Sequence, residues 1–189
     1  MTGWELPTSA VIGGREYNLN TDYRDILDIM QRLEDPNDPE WLRWRVALAL
    51  FYEDYDQMPA GDQQEAMEYL ASFINCGQSD DETPARRTKL LDWDQDALPI
   101  IADVNKVAGC EIRALPYLHW WSFLAFFNGI GEGQLSTLVS IREKLSRGKP
   151  LEKWEREFYQ QNKSRVDLKK RYSAEELAEQ KRLKALLGE

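Results

Sequence analysis

Residues 111–145 read EIRALPYLHWWSFLAFFNGIGEGQLSTLVSIREKL, and this stretch decides the fold class. An aromatic run from His119 to Phe127 is followed by glycines at 129, 131 and 133, and then by an amphipathic segment that includes Ile141-Arg142. The spacing predicts two helices separated by the glycines. Because a short apolar helix is not stable alone in water, it must be covered by a core or by a partner.

Near the N-terminus, Gly13-Gly14 predicts the turn of a β-hairpin over residues 10–19, since glycine accepts the positive φ of a primed turn. We expect Val11, Tyr17 and Leu19 on its apolar face. Helical spacing of apolar residues marks further segments that begin near residues 22, 40, 62, 94, 116, 134, 151 and 173. The stretch 78–89 lacks apolar periodicity and is predicted to be a loop.

These patterns predict a mainly α, multi-helix single domain with a short N-terminal β-hairpin. We expect a helical domain over residues 1–165 and a basic C-terminal helical extension over residues 166–189. The expected core consists of large apolar side chains: Trp44, Leu48, Phe51, Phe73, Ile101, Trp120, Phe123, Leu124, Phe127, Leu138 and Ile141.

The charge distribution along the sequence argues against some classes of binding partner and favours others. The 189 residues carry a formal charge of -9, which argues against binding to duplex DNA or to anionic membranes. From Arg142 onward, however, 14 basic residues outnumber 9 acidic ones. Opposite charges in the two parts favour docking of the tail on the body or head-to-tail association into a homo-oligomer. The first residues match no secretory signal, and the apolar run at 120–127 is too short to cross a bilayer, so we expect a cytoplasmic protein.

Two groups of residues could carry chemistry. Asp92, Asp94 and Asp96 resemble the start of a calcium loop, but Ala97 replaces the required glycine, and an acidic helix start is the favoured interpretation. His119 could act as a general base, yet no relay partner is evident in the sequence, so a packed structural histidine is favoured. The sequence therefore predicts an interaction protein with no catalytic residues, metal or cofactor.

Several motifs in order resemble a known family. They are Asp22–Leu27 (DYRDIL), Leu50–Asp54 (LFYED), Leu118–Phe123 (LHWWSF) and the pair Ile141-Arg142. Together they resemble the bacteriophage "gp fifteen" family of tailed phages and prophages of Gram-positive hosts, over about residues 6–165. The resemblance implies tail morphogenesis, in the manner of a tail assembly chaperone that covers the tape-measure protein until tail-tube proteins displace it. It implies no catalytic residues.

A tape-measure protein is a long amphipathic helix, which a groove holds through anchors at i, i+3, i+4 and i+7. Aromatic side chains are typical anchors, so the candidates for partner binding are Trp44, Trp120, Phe123 and Phe127, although core packing explains the same stripe. The basic residues Lys169, Lys170 and Arg171 are either a solvated face or an arm that binds an acidic partner. The alternative function is a structural tail component, a connector or tube-associated subunit retained in the virion. An enzyme that uses the acidic loop and His119 is a third class.

Overall fold

The computed structural model describes residues 4–77 and 89–187. Helices dominate these residues and a two-stranded antiparallel hairpin precedes them, so the predicted fold class is confirmed. Backbone contacts divide the chain into two compact units. Unit 1 takes the residues up to Gly77 and those from Lys170 onward, and unit 2 takes those from Gln78 to Lys169. The predicted boundary at residue 165 stays a prediction, and most of the predicted 78–89 loop lies outside the described residues.

The hairpin consists of β1 (Ser9–Ile12) and β2 (Arg15–Asn18), joined by Gly13 and Gly14 with φ of 57° and 78°. This tight turn pairs Ile12 with Arg15 and therefore Val11 with Glu16. Because side chains alternate between the faces of a strand, Val11 points to solvent, with 64% of its surface exposed. The prediction that Val11 lies on the apolar face was wrong, whereas Tyr17 and Leu19 are buried as expected.

Three helices complete the first part of unit 1: α1 (Tyr23–Leu33), α2 (Glu40–Phe51) and α3 (Gln63–Ile74). Asp22 caps α1 by accepting a hydrogen bond from the backbone N–H of Arg24, as the sequence predicts. The buried side chains of these helices share one apolar core: Ile26, Ile29, Ala47, Leu48, Phe51, Ala66, Leu70 and Phe73. Two 3-10 turns, Tyr55–Gln57 and Ala60–Asp62, connect α2 to α3.

Unit 2 contains five helices among its described residues: α4 (Ala97–Ala108), α5 (Trp120–Asn128), α6 (Gln134–Ser146), α7 (Lys153–Gln161) and α8 (Lys163–Val166). The glycine break between α5 and α6 is confirmed. Pro116 lies four residues before α5 rather than in its first turn, because His119 supplies the cap that starts the helix. Leu138 and Ile141 of α6 and Val166 of α8 form a buried cluster covered by Leu151, Phe158 and Tyr159.

The last helix, α9 (Ala174–Leu187), belongs to unit 1. Ser173 and Glu176 exchange the two hydrogen bonds of a capping box, as predicted. The backbone N–H of Ala174 also donates to Asn37, at 2.9 Å. The start of α9 is thus fixed to the turn that follows α1.

Most of the expected core is buried. Seven of the expected residues are shielded from solvent, namely Leu48, Phe51, Phe73, Trp120, Phe123, Leu138 and Ile141. The other four are only half-buried: Trp44, Ile101, Leu124 and Phe127. Of these four, Trp44 faces an open groove in unit 1.

Candidate partner-binding groove

Two helices of unit 1 line a groove with faces of the same periodicity. Helix α2 contributes positions 40, 41, 44, 45 and 48, and α3 contributes positions 63, 64, 67, 68 and 71. Both sets follow the spacing i, i+1, i+4, i+5 and i+8, which places each set on one side of its helix. Each face extends over about 12 Å, or slightly more than two helical turns.

The turn between these helices completes the lining. Tyr55, Asp56 and Met58 also line the groove, which has a volume of about 950 Å³. Methionine side chains adapt to ligands of irregular shape, and Met58 and Met67 both line this groove. A surface with these properties suits the side chains of a partner helix.

Two of the three aromatic residues that line the groove are tryptophans. Trp44 is half-buried, and Trp41 keeps 64% of its surface exposed. Of the predicted binding residues, Trp44 is the one that the structure places in this groove. We did not anticipate Trp41, Tyr55, Met58 and Met67. The sequence did contain a signal for a further apolar surface on α2. This helix is apolar nearly all round, and such a helix presents more apolar surface than one core can cover.

The other aromatic candidates come together in unit 2. Trp120 and Phe123 stack with ring centroids 5.5 Å apart, and Phe127 lies 6.5 Å beyond Phe123. Trp93 packs across all three rings, with its centroid 5.0 Å from that of Phe127. Trp120 and Phe123 are each 1% exposed. In this conformation the cluster is core, and a binding role for these three residues stays a prediction.

His119 has a structural position at the start of α5. Its Nδ1 accepts a hydrogen bond from the backbone N–H of Trp121 at 3.0 Å, and its side chain is buried. The imidazole therefore replaces the Ser or Asp that more often caps a helix. Its ring also meets the ring of Trp121 edge-on, at 6.1 Å. The favoured interpretation, a packed histidine, agrees with this geometry.

The aspartates of the 92–96 segment are engaged by protein groups. Asp92 accepts hydrogen bonds from the backbone N–H groups of Asp94 and Gln95, which closes the turn before α4. Asp96 binds the guanidinium of Arg142 through two hydrogen bonds of 2.6 and 2.8 Å. Across residues 4–77 and 89–187, no group of three His, Cys, Asp or Glu side chains is arranged to hold a metal ion.

Arg142 connects several segments of unit 2 through its guanidinium. Besides Asp96, its guanidinium donates to the backbone carbonyls of Leu90, Arg165 and Val166. Both charged groups are buried, with exposures of 6% for Arg142 and 1% for Asp96. This ion pair joins the segment before α4 to α6 and α8, and the sequence alone gave no sign of the pairing.

Asp103 is a further buried acid with a structural role. One carboxylate oxygen accepts from the backbone N–H of Leu135 and the other from Lys106, at 2.9 and 2.7 Å. A Cβ atom at Gly133 would overlap this carboxylate. Asp103 on α4 therefore caps α6, and the close approach requires glycine at position 133.

The basic run at 169–171 is exposed. Lys169 and Lys170 present their side chains to solvent, while the backbone N–H of Lys169 donates to Gln95. The boundary between the two units falls between these lysines. The side chains of Lys169 and Lys170 are therefore accessible to a partner, and the role of the run as a binding arm stays a prediction.

The fold and the groove define a helical protein with a surface suited to a helical ligand. The sequence pattern of the family described as "Bacteriophage Gp15 protein" matches residues 4–168, and the chain belongs to this family. Membership indicates a phage structural or morphogenesis protein that interacts with other phage proteins. No curated protein and no solved structure matches the chain. None of the helices described here is long and apolar enough to cross a membrane.

Proposed function

We propose that this phage protein is a tail assembly chaperone that binds the tape-measure protein in the cytoplasm of the bacterial host. The single observation that carries the proposal is the groove between α2 and α3. Its aromatic and methionine side chains can contact the apolar stripe of an amphipathic helix, its charged and amide side chains can contact the polar edges, and the exposed Trp41 makes it accessible. In this role the protein is not an enzyme, and His119 and Asp96 serve the fold.

The groove also suits a partner that must later be released. Each helical face is about two turns long, so one groove covers only a short segment of a long helix. A short contact surface gives modest affinity, which lets tail-tube proteins displace the chaperone as the tube grows. Several copies along the tape measure would be needed to cover it.

Co-expression tests the proposal. A tape-measure fragment from the same phage should stay soluble with the wild-type protein and precipitate with the double variant Trp44→Ala/Met67→Ala. Trp154→Ala is the matched control, because Trp154 is 56% exposed but lies on α7, outside the groove. Circular dichroism should show that all variants keep their helix content. Precipitation of the fragment even with the wild-type protein would contradict the proposal.

A second candidate is a structural tail component, a connector or tube-associated subunit. The observation in its favour is the charge split, since residues up to 141 are strongly acidic and exposed Lys169 and Lys170 lie in the basic remainder. Contacts between copies of the protein would then join opposite charges. Mass spectrometry of purified virions separates the two functions, because a chaperone is absent from the particle and a component is present at a fixed copy number.

A further inference from the structure

The charges around the groove between α2 and α3 are unbalanced. Three carboxylates line it, those of Glu40, Asp56 and Glu68, together with one cation, Arg45. Within the described part of the chain, no ion pair engages any of these carboxylates, and Glu68 accepts a hydrogen bond only from the neutral amide of Gln64. The carboxylates are therefore available to cations of a partner.

The surrounding protein reinforces this negative charge. Residues 1–77 contain 15 acidic residues but only 5 arginines and no lysine. Four of these arginines are engaged locally. Arg24 pairs with Asp22, the cap of α1, and Arg32 pairs with Asp28 on the same helix, while Arg15 and Arg43 donate to backbone carbonyls. The summed field at the groove attracts a cationic ligand and repels an acidic one.

The aromatic residues of the groove favour the same type of ligand. Trp41, Trp44 and Tyr55 line it, and the faces of aromatic rings attract lysine and arginine side chains. The same rings, with Met67, can also cover apolar side chains of the ligand. One surface therefore combines apolar contact with recognition of positive charge.

We propose that the groove selects a basic amphipathic helix, with an apolar stripe of two to three turns flanked by lysine or arginine on both edges. The stripe packs on Trp41, Trp44 and Met67, and the flanking cations reach Glu40 on α2 and Glu68 on α3. This inference rests on the proposed function and specifies which segments of the tape-measure protein are bound. Segments of the tape-measure protein whose apolar stripe has acidic edges are not bound by this groove.

Binding of designed peptides to the full-length protein tests the inference. Two helical peptides share one apolar stripe and carry either lysine or glutamate on its edges, and fluorescence anisotropy measures their affinity. The lysine peptide should bind at least about ten-fold more tightly at low salt, because two pairs each contribute a factor of about three. The difference should shrink at 0.5 M salt, where charges are screened within a few ångströms.

Charge-neutral variants locate the effect. Glu40→Gln/Glu68→Gln should weaken binding of the lysine peptide about ten-fold. The control Glu5→Gln/Glu16→Gln changes the net charge equally at exposed positions outside the groove, and should weaken it less than two-fold. Equal binding of the two peptides, or equal effects of the two variants, would overturn the inference.

The inference and the proposed function fail separately. If the protein keeps the tape-measure fragment soluble but overlapping tape-measure peptides bind without regard to their charge, the function stands and the inference is wrong. If the lysine peptide binds through Glu40 and Glu68 but the fragment still precipitates, the groove selects basic helices and the chaperone proposal is wrong.

Discussion

Replacing Arg142 with alanine should remove about 3–5 kcal/mol from the free energy of unfolding, which is the usual cost of breaking a buried ion pair. The substitution leaves the carboxyl group of Asp96 buried, at 1% exposure, and without its bidentate partner. It also removes the donor from three backbone carbonyls, those of Leu90, Arg165 and Val166. Adding the five hydrogen bonds separately would give a larger figure, but water entering the vacated space restores part of the loss.

Urea denaturation followed by tryptophan fluorescence measures this effect, because Trp93 and Trp120 lie in the same unit. For a slope of about 2 kcal/mol/M, the midpoint should fall by roughly 2 M. Arg142→Lys should lose about half as much, since an ammonium keeps the charge but cannot form the two-pronged contact with Asp96.

The matched control lies at the C-terminal end of α6, where Arg147 is the residue that follows the helix. Arg147 pairs with Glu143 at 2.9 Å, but both side chains are exposed, at 60% and 43%. Arg147→Ala should therefore cost less than about 0.5 kcal/mol. If Arg142→Ala costs no more than Arg147→Ala, the ion pair with Asp96 does not stabilise unit 2 and the reasoning from burial is refuted.

Three further substitutions test other contacts. His119→Ala should lower the free energy of unfolding, measured by urea denaturation, by about 1–2 kcal/mol, because the Trp121 N–H loses its acceptor. His119→Asn should recover part of this loss. Equal losses in the two variants would show that His119 does not act as a cap. Gly133→Ala should lower the free energy of unfolding by about 1–3 kcal/mol, because the added Cβ clashes with Asp103. Gly131 has open space around it, so Gly131→Ala should be nearly neutral. Equal effects would refute the close approach of Gly133 to Asp103. The hydrogen bond from Lys144, helped by the backbone N–H of Glu152, lowers the pKa of Glu155 below its ordinary value of 4.5. The stabilisation from ionised Glu155 is thus complete above about pH 4.5 and is lost as the pH falls through the lower pKa of the folded state. Glu155→Gln should therefore flatten the dependence of the urea midpoint on pH between 6 and 3. An unchanged slope would contradict this pairing.

The helices were predictable because each carries its own local signal. Asp22 and Ser173 mark helix starts, and the glycines from 129 to 133 mark a break, so their interpretation needs no tertiary information. The strand register of the hairpin could also be predicted from the sequence, because a two-residue turn at Gly13-Gly14 places Val11 opposite Glu16. Strict alternation from that turn would have placed Val11 on the solvent face.

The groove and the buried ion pair were not predictable in this way. Asp96 and Arg142 are 46 residues apart, and no local pattern in either segment indicates the other. Trp41 and Met67 have the spacing of core residues, and only the positions of neighbouring helices decide which apolar faces remain open. The aromatic run at 120–127 was the strongest signal in the sequence, but Trp120 and Phe123 are buried core, and the open aromatic surface is on α2.

Photo-crosslinking in phage-producing cells shows whether the groove between α2 and α3 binds the tape-measure protein. A photoreactive amino acid is placed at position 67, inside the groove, or at position 154 on α7 as the control, and the crosslinked partner is identified by mass spectrometry. The account predicts that position 67 captures the tape-measure protein, through a segment with lysine or arginine beside an apolar stripe, and that position 154 does not. Capture of a different phage protein at position 67, or equal capture of the tape measure at both positions, would contradict it.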